Sequence, residues 1–142
     1  MHCTLRSPFP FTKSIHSKTL ILQPRCKIRF WSSRREAWPR MVPESATVAK
    51  IFGSRAHERY GSEMTLMEAA AAADEEEEAF GRVVKEATVA LLNSYARRRE
   101  FPYSAWEVKT LFINALVSKE AAALQSQRFA FANESLQLAN PN

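Results

Sequence analysis

Three histidines, two cysteines and one run of five acids are the groups in this sequence whose chemistry could exceed plain surface charge. His2, His16 and His57 are scattered, and His57 has charged neighbours with no second His or Cys beside it. A solvated imidazole is expected there, not a positioned base. Cys3 and Cys26 lie 23 residues apart, a spacing unlike a CxxC metal or redox site. Unpaired thiols are the expectation, with a disulfide as the alternative in an oxidising compartment. Asp74, Glu75, Glu76, Glu77 and Glu78 are consecutive, whereas a calcium loop spaces its carboxylates and sets a glycine among them. The run predicts a solvated loop or the mouth of the next helix, whose N-terminal partial charge tolerates acids. Glu86 and Glu107 read as surface helix residues. No Gly-rich phosphate loop, G-x-S-x-G elbow, HExxH or paired Cys/His cluster occurs. The sequence thus offers no catalytic, cofactor-binding or metal-ligating set, and it predicts a protein that is not an enzyme and needs no cofactor.

The stretch KEATVALLNSYARRREFPYSAWEVKTLFINAL, residues 85–116, is the part around which the rest must be arranged. Phe80, Val83, Val84, Ala87, Leu91 and Tyr95 recur at helical spacing and predict an amphipathic helix. Arg97, Arg98 and Arg99 suit its last turn. Pro102 cannot continue a helix and disfavours the α region for Phe101, so a corner is expected at Phe101-Pro102-Tyr103. Ser104 with Glu107 three residues on forms a capping box for the next helix, whose apolar stripe is Val108, Leu111, Phe112, Ala115 and Leu116. The short connection predicts an αα-hairpin. Asn93, near the buried edge of the first helix, is expected either to bond the backbone of that corner through its amide or to be solvated.

Before this hairpin, Pro43 and Ser45 introduce a helix bearing Val48, Ile51, Phe52 and Ala56, with Gly53 as a possible break. Thr65 and Glu68 make a second capping box, for a helix from 66 to 73. After the hairpin, Ser118 is placed to cap a last helix through Ala121, Ala122, Leu124, Phe129, Ala132 and Leu136. Asn133, Asn140, Pro141 and Asn142 are poor helix formers closing the chain. The fold class predicted is all-α: a small antiparallel bundle of four to five helices over residues 44–139, following a disordered basic arm over 1–43. Only three glycines argue against a β architecture. No apolar run approaches the roughly 20 residues of a membrane span.

The net charge of +5 is uneven. Residues 1–43 carry nine Lys or Arg against Glu36 alone, and 44–142 carry eleven against fourteen acids, so the arm is +8 and the remainder −3. Residues 1–35 hold no acid and eight Ser or Thr. That composition fits an organelle transit peptide, an unprocessed or altered N-terminus, or a nucleic-acid-binding arm. For the last, Arg25, Lys27, Arg29, Phe30, Trp31, Arg34 and Arg35 mix cations with aromatics, as phosphate contact and base stacking require. Phe30-Trp31 and Trp38-Pro39 mark the approach to the fold.

From about residue 46 to 134 the blocks Ile51-Phe52-Gly53, Tyr60-Gly61 and Leu66-Met67-Glu68-Ala69 occur in order, followed by Phe80-Gly81 and Lys85-Glu86-Ala87-Thr88. Leu91-Leu92-Asn93-Ser94, Phe101-Pro102-Tyr103-Ser104, Val108-Lys109, and a helix holding Ala121-Ala122-Ala123, Phe129 and Ala132-Asn133-Glu134 complete the set. In this order they resemble the C-terminal domain of plant protodermal-factor-like proteins, secreted proline-rich proteins of epidermal cell walls. The resemblance implies a structural or interaction role at the cell surface or wall, with a protein or cell-wall polymer as partner. It implies an extracellular location, against which the transit-like N-terminus sets chloroplast or mitochondrion.

Overall fold

The computed structural model describes residues 38–71 and 78–139, with side chains through residue 135. The acid-free N-terminal segment, both cysteines, Phe30-Trp31 and residues 74–77 of the acidic run lie outside the described residues. Six helices follow in order: α1 (Val48–Phe52), α2 (Ser54–Tyr60), α3 (Leu66–Ala70), α4 (Ala79–Ala96), α5 (Ala105–Ala115) and α6 (Lys119–Ala139). They pack as an all-helical bundle, with no sheet among the described residues. The only bridge there is an isolated antiparallel pair, Thr47 with Thr65.

That bridge follows from helix capping. Thr47 and Thr65 are the N-caps of α1 and α3, and both hold extended backbone, as an N-cap does. Side by side they pair: Val48 N donates to Met64 O at 2.8 Å and Leu66 N to Ala46 O at 2.8 Å. The side chain of Thr47 accepts from Lys50 N at 3.1 Å, so Thr47, not Ser45, starts this helix. The anticipated break falls at Gly53, whose φ of 105° closes α1 and opens α2. This break, with the short α3 counted, brings the number of helices to six. Trp38 and Val42 are buried in the core although they precede residue 44.

The central helix differs from its expected form. Of the 18 residues of α4, 13 are buried, including Val89, Ala90 and Leu92 off the anticipated face. A helix buried all round must be covered on every side, and α6 supplies the most extensive contact, with α5 and α3 on other sides. The helix ends at Ala96, one turn before the corner proline can act, because Arg97 leaves helical geometry at φ −127°, ψ 52°. Glu100 N and Phe101 N both donate to Arg97 O, at 3.0 and 2.9 Å, which closes a turn after the helix. The three arginines therefore sit in this turn, beyond the helix itself.

On α5, Val108, Phe112 and Ala115 face the core as the stripe requires. Phe112 is the aromatic hub: its ring lies 4.5 Å from that of Phe52 and 6.0 Å from that of Tyr60, joining α5 to α1 and α2. On α6, through residue 135, the buried residues are Ala122, Gln125, Ser126, Phe129, Ala132 and Asn133. Leu124, one of the apolar residues of this helix, is 48% exposed. At 100° per residue it falls on the far side from Ala122 and Phe129, so the helix that buries those two must turn Leu124 outward.

Candidate functional site

The corner after α4 gathers most of the motif residues. Ser104 caps α5: its hydroxyl accepts from Glu107 N at 3.1 Å, and Glu107 Oε1 accepts from Ser104 N at 2.8 Å. The same reciprocal pair starts α3, with Thr65 and Glu68 at 3.1 Å in both directions. Phe101 is buried and Pro102 exposed. Tyr103 is half-buried, with its ring 6.0 Å from Phe101 and 5.7 Å from Phe129 of α6, edge to face with both. The corner thus fixes the α4–α5 angle and also holds α6. Beside it, the Arg97 guanidinium meets Glu100 at 3.3 Å and holds that carboxyl below its usual range, the hydrogen bond being the main cause.

Asn93 is fully buried, and its amide nitrogen donates to Asn133 Oδ1 at 3.0 Å, across to α6. Asn133, also fully buried, donates through Nδ2 to Glu86 Oε1 at 2.9 Å and Glu86 O at 3.3 Å. Glu86, read from sequence as a surface residue, is half-buried and engaged in this chain of amides. Asn133 and Glu86 are the two members of the set that sequence reasoning missed. The available signal was spacing, since Asn133 follows Phe129 by four residues and so shares its inward face.

A shallow cleft of about 370 Å³ lies between α2, α3 and α4, lined by Arg59, Tyr60, Met64, Glu68, Glu78 and Phe80 among others. The Arg59 guanidinium lies 3.8 Å over the Phe80 ring, within cation–π range. Tyr60 donates its hydroxyl to Phe80 O at 2.6 Å. Burial chiefly, and then the charge of Glu78, push its phenol well above the ordinary value, with Arg59 opposing. The carboxylates here are tied to helix starts: Glu68 to α3 as above, and Glu78 Oε1 to Gly81 N at 3.0 Å as the N-cap of α4. Glu78 thus stands at the mouth of the next helix, the second of the two expectations for the acidic run, and caps it. Among the described residues no three His, Cys, Asp or Glu side chains come together as a metal ion would need. No helix among them is long and apolar enough to cross a membrane.

Residues 26–139 match the family model described as Protodermal factor 1 C-terminal domain. The chain belongs to this family. The Protodermal factor 1 C-terminal match begins at Cys26, well before the block order legible from residue 46, and takes in Phe30-Trp31. No curated protein and no solved structure matches the chain. Within the family assignment, the motif residues Ser104 and Glu107 act as caps, Phe101 and Tyr103 as packing groups, and Asn93 as part of a buried amide chain.

Proposed function

We propose that this Protodermal factor 1 C-terminal domain is a non-enzymatic structural or interaction module at the plant cell surface or wall, engaging a protein or a cell-wall polymer. The observation that carries the reading is the family match over residues 26–139. The geometry supports it, because four carboxylates are spent on architecture: Glu68, Glu78 and Glu107 on helix starts and Glu86 on Asn133. A general acid or base must reach substrate, and these four reach backbone or a buried amide. The test is localisation of the full chain fused at its C-terminus to a fluorescent reporter in plant epidermal cells. Signal at the wall that persists after plasmolysis is the expected result. Signal confined to plastids or mitochondria would overturn the wall assignment.

A second reading is favoured by one specific observation, the +8 charge of residues 1–43 beside a −3 remainder. It makes the chain an organellar or nuclear module whose basic arm binds nucleic acid. Its mark is oligonucleotide affinity that falls steeply with salt as counterions are released, and that is lost when residues 1–37 are deleted. Affinity indifferent to salt, or none, removes it.

A further inference from the structure

The contact between α4 and α6 is the most extensive in the domain, and two buried asparagines meet in it. Of the buried residues of α6 whose side chains are described, through residue 135, Phe129 alone is large and apolar; the others are two alanines, a serine and two amides. Small side chains present a nearly uniform surface, so such a face discriminates weakly between docking positions one helical turn apart. A slide of one turn moves each residue about 5.4 Å along the axis. Something other than bulk must select the position.

We propose that the buried chain Asn93–Asn133–Glu86 is a register lock that makes α6 dock on α4 in one position. Asn133 reaches both partners within 3.3 Å, and a one-turn slide carries it beyond hydrogen-bonding distance of both. The displaced amide would stay in an apolar interior without those bonds, an unfavourable state for a buried polar group. Apolar side chains at the same two positions would incur no such penalty and would tolerate the slide. A single buried Asn is known to set register in helical coils by this means. Burial of an amide is not sufficient in itself: Gln125 is buried on the same helix, and its Nε2 has no hydrogen-bond partner. Gln125 is thus the internal control, a buried amide that does not bridge the helices through its nitrogen.

The test compares the full chain with Asn93→Leu/Asn133→Leu and with Gln125→Leu by amide NMR. The expected result is that the double variant stays helical while its α6 resonances split or broaden and the Tyr103–Phe129 ring contact weakens. Gln125→Leu should keep a single sharp set. A double variant with one sharp α6 set and an unchanged Tyr103–Phe129 contact would overturn the proposal, as would equal broadening in both variants. Should the double variant fail to fold, hydrogen exchange on the unmodified protein decides. Side-chain amide protons of Asn93 and Asn133 that exchange together with the α6 backbone support the lock. Side-chain protons that exchange freely while the α6 backbone stays protected refute it.

Discussion

Phe112 and Phe131 are the same residue in the same kind of secondary structure, and only their burial differs: 0% exposed against 74%. Replacing each by alanine isolates the contribution of the core. Phe112→Ala removes a ring packed at 4.5 Å on Phe52 and 6.0 Å on Tyr60. Large-to-small changes of this kind cost about 3 to 5 kcal/mol. The two aromatic contacts, worth about 0.5 to 1.5 kcal/mol each beyond area, place the loss in the upper part of that range. Domains of this size have total stabilities of about 5 to 15 kcal/mol, so the variant should be marginal. With about 4 to 8 °C lost per kcal/mol in a 60 to 100 residue domain, a loss of about 4 to 5 kcal/mol should lower the melting temperature by about 16 to 40 °C. Phe131→Ala should change stability by no more than about 0.5 kcal/mol. Urea unfolding followed by circular dichroism, with equal slopes for the three proteins, measures both. A loss at Phe112 no greater than that at Phe131 would refute the assignment of the α5 inner face and the bundle with it.

Other outcomes follow from the same geometry. Leu91→Ala, at the fully buried middle of α4, should cost about 2 to 5 kcal/mol in the same urea assay. Ser104→Ala should cost about 0.5 to 2 kcal/mol through loss of the α5 cap, and Glu107→Gln should cost less than Glu107→Ala because glutamine still completes the box. Tyr60 has a folded-state pKa raised from an ordinary value of 10.0. Its contribution is therefore complete below about pH 10 and is lost as pH rises through the folded-state value. Alkaline unfolding curves of Tyr60→Phe should lack that loss relative to the unmodified protein, and identical slopes above pH 10 would contradict it. Removing Glu78 should destabilise α4 by about 1 kcal/mol through its cap, whereas an uncapped, merely solvated residue would show almost no change in the melt.

What the sequence determined by itself is what depends on neighbours a few residues away. The boxes at Thr65 with Glu68 and Ser104 with Glu107, the Ser118 cap that accepts from Ala121 N at 3.0 Å, and the break at Gly53 were all legible. Each rests on a side chain meeting a backbone group within one turn, or on one residue's own φ preference, and so needs no knowledge of the rest of the chain. Tertiary structure decided the remainder. Whether α4 is half-covered or fully enclosed depends on where α6 lies, and its own periodicity holds no information about that. The extended backbone of the Thr47 cap pairs with that of Thr65, 18 residues on, a contact that only the packing of α1 beside α3 creates. Asn133 looked like a poor helix former near the end of the chain until α4 brought Asn93, 40 residues earlier in sequence, within 3.0 Å of it. A buried amide is stable only if its partner arrives with it, and that partner belongs to another helix.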